Sequence, residues 1–351
     1  MTLMRSRLLP TVLSTLLLAT ALAGCGSDSK ESPKTLVVAT HDSWAMSKSV
    51  LAKFKAETGI TVKVRPQGDA GELTNKLVLT KDSPLADGVY GIDNTFASRA
   101  VDAGILTAYD AKELPSSAEQ YRLTGDAKDD LTPIDYGDVC VNVDDSWFAK
   151  KNLTPPKTLD DLAKPAYKGL FVTPGATTSS PGLAFLLATI AAKGDGWQDY
   201  WKQLMANDTK ITAGWTDAYE VDFTAGGGNG DRPIVTSYSS SPPFTIPKGA
   251  TEPTTSALLD TCFRQVEYAG VLKGSDNPAG MKKFIDFMVG QDFQEALPDN
   301  MYVYPVDSTV KLPADWASYA PVSPHPYSVD PSAVTKNRTT WLREWRDVTS
   351  Q

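Results

Sequence analysis

TLVVATHDSWAMSKSVLAKFKAETGITVKVRP, residues 35–66, contains the change of period on which the fold turns. Leu36-Val37-Val38-Ala39 is a short apolar run of the kind a buried strand needs. Met46, Val50, Leu51 and Phe54 then recur on one helical face, and Ile60 to Val64 returns to strand patterning. A strand, a helix and a second strand in that order form a crossover unit, with the helix lying on a parallel sheet. Leu73, Leu77 and Val78 mark the next helix, Gly88 to Ile92 a buried strand, and Phe96 to Ala103 a helix ending at Gly104. A second cycle begins near Asp135-Tyr136-Gly137, where Val139, Val141 and Val143 alternate as strand residues do. Leu170-Phe171-Val172, helices over Gly182–Ala192 and Trp197–Met205, and a strand over Ile234–Tyr238 continue it. Residues 263–268 read as extended. Met281, Phe284, Ile285 and Met288 predict an amphipathic helix before Gly290, and a last helix runs through Trp341 and Trp345. The expected class is α/β.

Open α/β sheets take ligands beyond the carboxyl ends of their strands, and polar clusters fall at those joins here. Thr40-His41-Asp42-Ser43-Trp44 follows the first strand, Gln67-Gly68-Asp69-Ala70-Gly71 the second, and Gly91-Ile92-Asp93-Asn94-Thr95 the third. Each Asp alone reads as a helix cap, whereas three at successive crossovers suggest a shared acidic crevice, with Trp44 either a wall of it or core. Ser179-Ser180-Pro181-Gly182 opens a strongly apolar helix, with Ser180 at the N-cap and Pro181 at the first helical position. Such a start is either a cap alone or a seat for phosphate or another polar oxygen, because its N–H groups have no helical partner. Gly214-Trp215-Thr216-Asp217-Ala218-Tyr219 and Ser237-Tyr238-Ser239-Ser240-Ser241-Pro242-Pro243-Phe244 each mix aromatic with small polar residues. Turns account for the small residues and not for the aromatics.

Ahead of residue 35 the chain has a processing logic of its own. Arg5 and Arg7 precede an apolar stretch from Leu8 to Ala23, interrupted by Pro10, Thr11 and Ser14, and Leu22-Ala23-Gly24-Cys25 follows. The stretch is short of the roughly 20 residues a spanning helix wants, so residues 1–24 read as a secretory signal. Leu-Ala-Gly-Cys resembles a bacterial lipoprotein box, which implies a lipidated Cys25 as the mature N-terminus, residues 25–34 as a tether, and attachment to the extracytoplasmic face of the cell membrane through lipid only. Cys140 and Cys262 remain, an even pair bound for an oxidising compartment. That suggests one disulfide between them, two separate buried thiols being the alternative.

Composition narrows the function classes. With 41% hydrophobic and 22% charged residues, the chain is neither collagen-like, wholly disordered nor a polytopic membrane protein. Lys plus Arg is 34 against 42 Asp plus Glu, a net charge of -8 that disfavours nucleic acid and is compatible with a small cation. Catalytic patterns are missing. His41 and His325 have no metal-ligand spacing, no nucleophile elbow, P-loop or His-Glu-x-x-His occurs, and Gly226-Gly227-Gly228-Asn229-Gly230 lacks the Gly-Lys-Ser/Thr of a phosphate loop. Asp126, Asp129 and Asp130 lack the spacing of a calcium loop. No catalytic residue, metal or cofactor is expected.

Thr40-His41-Asp42-Ser43-Trp44, Gly91-Ile92-Asp93-Asn94, Ile134-Asp135-Tyr136-Gly137, Ser179-Ser180-Pro181-Gly182-Leu183, the 214–219 and 237–242 runs and Tyr304-Pro305-Val306 together resemble the thiamine-binding proteins of ABC importers, in order along almost the whole mature chain. The resemblance implies a two-lobed, periplasmic-binding-protein-like monomer, with residues 35–134 and 266–351 in lobe I and 135–265 in lobe II. The chain would cross between lobes near Asp135 and Gln265, and the protein would serve an importer permease. It also implies that thiamine or a phosphate ester of it lies in the cleft. By position, the site would comprise Asp69, Ala70, Ser179, Ser180, Trp215 and Tyr238 to Ser241 (Tyr238, Ser239, Ser240, Ser241), with Phe244 and Tyr302 as further walls and Asp93 and Trp44 as added candidates. Phe244 and His41 stand where the family can have Tyr, and Tyr302 where it can have Trp. Thiamine carries a cationic thiazolium, a flat aminopyrimidine and an oxygen arm, which call for carboxylate, aromatic faces and hydroxyl or N–H donors. Two rivals remain. One is an importer receptor for another cation such as a polyamine; iron is disfavoured because residues 237–244 hold only Tyr238. The other is a thiamine-processing extracellular enzyme with a cysteine nucleophile, against which Cys140 and Cys262 sit in strand patterns.

Overall fold

The computed structural model describes residues 34–350; the expected signal sequence, Cys25 and all but the last residue of the expected tether lie outside the described residues. The opening unit forms as its period requires. β1 (Thr35–Thr40) and β2 (Thr61–Pro66) pair in parallel, and helix Lys48–Thr58 connects them. Ser47 caps that helix by accepting from Val50 N, and Gly59 ends it at φ 73, a left-handed conformation that glycine adopts without a Cβ penalty. Phe54, on its inner face, meets Phe284 of helix Pro278–Val289 at a ring distance of 5.0 Å.

The remaining strands are β3 (Gly88–Asp93), β4 (Leu106–Thr107), β5 (Thr132–Asp144), β6 (Phe171–Pro174), β7 (Lys210–Thr212), β8 (Ile234–Tyr238), β9 (Thr255–Leu272) and β10 (Tyr304–Pro305). All ten form one mixed sheet in the order β2-β1-β3-β9-β5-β8-β6-β7, with β4 on β9 and β10 on β5. β1, β2 and β3 run parallel, as do β6, β7 and β8, and the two sets are joined by antiparallel pairing through β9 and β5. The sheet therefore holds two parallel groups, each with helices on its faces, the arrangement that crossover connections produce.

β9, at 18 residues, is far longer than the 263–268 segment expected from sequence. Its C-terminal part pairs with β3 and with the start of β5, and its N-terminal part pairs with the end of β5. Between these the register breaks: Val139 faces Phe263 but Val141 faces Leu258, so residues 259–262 oppose Cys140 alone. Cys140 and Cys262 are joined by a disulfide at this break. Thr261 Oγ1 accepts the Val141 N–H at 2.9 Å there, which keeps a buried backbone donor satisfied where the ladder is interrupted.

Helix Ser180–Lys193 is buried over its first ten residues and packs through Phe185 on Trp201 of helix Trp197–Ala206, which in turn meets Trp345 of the C-terminal helix Pro331–Thr349. Its cap is Ser179, not Ser180 as the sequence suggested, and Pro181 falls at the second helical position. Both serines are chemically able to cap; Ser179 is the one in extended conformation (φ -120, ψ 139), which an N-cap needs. No helix among the described residues is long and apolar enough to cross a membrane.

Candidate functional site

The carboxyl ends of strands from both parallel groups converge on one cavity of about 200 Å³. His41 follows β1, Asp69 follows β2, Ser180 follows β6, Trp215 follows β7 and Ser241 follows β8, while Glu267 reaches in from the middle of β9. Tyr302 and its neighbours close the remaining side.

Asp69 holds three elements together. Its Oδ1 accepts from Ala70 N at 2.6 Å, capping helix Ala70–Leu79, and from Ser180 N at 3.4 Å; its Oδ2 accepts from Trp215 N at 2.9 Å. Burial, the largest influence, raises its pKa above the ordinary carboxylate value, and the N–H bonds from Trp215 and Ala70 and the Ser179 hydroxyl oppose that rise. The carboxylate thus fixes the N-termini of two helices and the Trp215 loop around the cavity mouth.

Aromatic rings make the walls. Trp215 stacks on Tyr219 at 4.9 Å and 10°, and Tyr238 approaches Trp215 edge-on at 6.4 Å. The indole N–H donates to Ser237 Oγ at 2.9 Å, and Ser237 pairs with Ser241 Oγ at 2.8 Å, so the ring is fixed in rotation as well as in place. Tyr219 sits on a π-helical turn, Asp217–Asp222. Phe244, half exposed, meets Tyr302 at 5.5 Å and 89°. Tyr238 donates to Gln265 Oε1 at 3.3 Å.

The floor is acidic. His41 Nε2 lies 3.5 Å from Glu267 Oε1, both groups being almost fully buried, and His41 Nδ1 pairs with Ser43 Oγ at 2.9 Å. Behind them the Tyr90 hydroxyl bridges Asp135 Oδ2 at 2.6 Å and Glu267 Oε2 at 3.2 Å. Burial pulls the His41 pKa down, yet the Glu267 carboxylate, with Asp69 and Asp42 behind it, overcomes this and the net shift is upward. Glu267 moves the opposite way: burial would raise it, but His41 and the hydrogen bonds from Asp135 and Tyr90 hold it below the usual range. Asp135 is pushed well above the carboxylate range, first by burial and then by the Glu267 charge. Gly91, at φ +99, leaves room for the imidazole, since a Cβ there would collide with His41 Cδ2.

Of the residues expected from sequence, Asp69, Ser180, Trp215, Tyr238, Ser241, Phe244 and Tyr302 line the cavity. The others stand behind it. Ala70 and Ser179 are buried in the capping network. Ser239 N donates to Asp138 O at 2.8 Å and Ser240 Oγ to Tyr302 O at 2.5 Å, so these two hold the loop that carries Ser241. Trp44, partly buried, packs edge-on against Tyr90 at 4.8 Å at the margin of the core. Asp93 is fully buried, and its Oδ1 accepts from Thr95 N, Thr95 Oγ1 and Phe96 N, closing the turn ahead of helix Ala97–Asp102 and not capping that helix, whose N-cap position is Phe96; burial first raises its pKa to about 7. His41, Tyr219, Glu220, Glu267 and Met301 line the cavity without having been chosen. Tyr219 had a usable signal, being four residues after Trp215; so had Glu267, a charge inside an otherwise buried strand run. Among the described residues no group of His, Cys, Asp and Glu could hold a metal ion.

Ser179→Ala should cost about 1 kcal/mol of stability, because Ser179 caps the helix by accepting from Gly182 N. A lowered urea midpoint with an unchanged slope would show it.

Residues 83–323 match the family of bacterial extracellular solute-binding proteins. The chain is 31% identical to a thiamine-binding periplasmic protein of Brucella suis, across 90% of this chain and 92% of that one. It is 30% identical to the thiamine-binding periplasmic protein of Salmonella typhimurium, across 90% and 94%. A solved periplasmic thiamin binding protein superposes with a TM-score of 0.78 at 28% identity, covering 90% of this chain and 96% of that one.

Proposed function

The chain belongs to the bacterial extracellular solute-binding protein family, a binding protein and not an enzyme, and from that premise we propose that its cavity captures thiamine or a phosphate ester of it for an ABC importer permease. The observation that carries this reading is the convergence of aromatic walls and buried carboxylates on one cavity: Trp215, Tyr219 and Tyr238 line it together with Glu267 and Asp69. A flat cation is desolvated by the rings and its charge is offset by the carboxylates. Ser180, at the start of a capped helix, would meet the oxygen arm or its phosphate. The names of the relatives above agree with this ligand.

In the same proposal residues 35–134 with 266–351, and 135–265, form two lobes that close on the ligand, with the crossings near Asp135 and Gln265. A monomer tethered through lipid on Cys25, after removal of residues 1–24, would present the lobes to the permease. The test begins with protein stripped by partial unfolding and refolded. Titration calorimetry should give one site for thiamine or one of its phosphates, and X-ray scattering should show compaction on binding. Absence of heat with all three, or a preference for spermidine over them, would overturn the assignment.

A further inference from the structure

Away from that cavity, a second concavity of about 280 Å³ lies between the short helix Ala97–Asp102 and the C-terminal helix Pro331–Thr349. It contains two guanidinium groups, Arg99 and Arg338, with the hydroxyls of Ser98 and Thr339 and, at one edge, the exposed Asp102. Arg338 is only 9% exposed. Its guanidinium stacks over Phe96 at 4.4 Å, and its Nε has no hydrogen-bond partner. Among the described residues neither arginine has a carboxylate within ion-pair distance; the one hydrogen bond from either is Arg99 Nε to Asn75 Oδ1 at 2.7 Å.

A nearly buried guanidinium beside a second positive charge, with no carboxylate at ion-pair distance, is a costly arrangement. Burial, and then the charge of Arg99, depresses the Arg338 pKa to about 10, the buried Asp93 only partly opposing them. Arginine cannot relieve such strain by losing its proton near neutrality, so relief has to come from an anion. The geometry points to a binding site for a small doubly charged oxyanion, of the phosphate class, held between Arg99 and Arg338. Two guanidinium forks supply paired N–H donors to separate oxygens, and the Ser98 and Thr339 hydroxyls supply two more. Residues 335, 338 and 339 share one helical face, and 98 and 99 start the facing helix, so the donors converge from two elements. None of them lines the thiamine cavity, and this site does not depend on that assignment.

The experiment uses the full-length protein with its cleft saturated by thiamine, and inorganic phosphate as the probe. Phosphate at about 10 mM should raise the melting temperature by about 2–3 °C over sodium chloride of equal ionic strength. Arg338→Gln should abolish that increment. Because Arg338 also packs on Phe96, Arg99→Gln serves as the second variant: Arg99 is less buried and keeps Arg338 in place, and it too should lose most of the increment. Equal gains with chloride, or an increment unchanged in Arg99→Gln, would overturn the site, whatever the outcome for thiamine.

Discussion

Trp215→Ala should weaken thiamine binding by about 30- to 150-fold, the equivalent of roughly 2–3 kcal/mol. A cation held over an aromatic face contributes about 0.5–2 kcal/mol, and apolar area withdrawn from water adds about 1–2 kcal/mol more. The loop itself should stay where it is. Its anchor is the backbone N–H of residue 215 donating to Asp69 Oδ2 at 2.9 Å, which alanine retains. What disappears is the ring, and with it the partner that keeps Tyr219 parallel at 4.9 Å. Trp215→Phe should recover most of the affinity, since a face remains although the hydrogen bond to Ser237 is lost. Calorimetry on all three proteins decides it; an alanine variant within threefold of wild type would remove Trp215 from the ligand wall.

The same reasoning separates the two acids. Asp69 spends its oxygens on three backbone N–H groups, so Asp69→Asn would set an amide donor against donors and loosen the cavity mouth. Its first duty is positional. Glu267 accepts from Tyr90 and faces His41 across 3.5 Å, which leaves it the better placed counter-charge.

The sequence made the order of elements legible because a crossover unit changes period twice within a short span, as residues 35–66 do. It also made the strand-end clusters legible, since capping residues and aromatics stand out against apolar runs. What it hid has physical causes. β9 is long because it borders β3, β4 and β5 at different points, and a strand satisfied by several neighbours need not keep one alternation; Ser256, Asp260 and Arg264 break the pattern inside it. Asp93 and Asp69 occupy equivalent joins, yet only one reaches the cavity. Thr95 and Phe96 offer Asp93 N–H and O–H donors within three residues and consume its Oδ1, whereas two of the partners of Asp69 lie 111 and 146 residues away. Glu267 and Tyr90 meet Asp135 only once three strands are side by side, a coincidence no local pattern encodes. The even cysteine count suggests a disulfide without placing it; the register break is what sets Cys262 against Cys140.

Glu267→Gln should lower thiamine affinity by about 10- to 100-fold and, more diagnostically, flatten its pH dependence. The thiazolium has no proton to lose and keeps its charge through neutral pH, and so it competes with the His41 proton for one buried carboxylate. Around His41 stand Glu267 on β9, Asp69 before helix Ala70–Leu79, Tyr90 on β3, Asp135 on β5, Tyr238 on β8, Asp42 in its own loop and Glu220 at the rim. Burial lowers the His41 pKa, but Glu267, then Asp69 and Asp42, overcome that and hold it above 6.5 in the free protein. A cation beside Glu267 removes this support, so the pKa falls in the complex and binding releases a proton. Affinity must therefore rise with pH through the raised His41 pKa and level off above it, by up to about tenfold per unit on the acidic side. Calorimetry across about pH 5 to 9, in buffers of differing ionisation enthalpy, counts the proton directly. His41→Gln should keep thiamine affinity within a few-fold at high pH while losing both the slope and the released proton. A wild-type affinity independent of pH, or an affinity that falls as pH rises, would place the ligand's charge elsewhere than against Glu267.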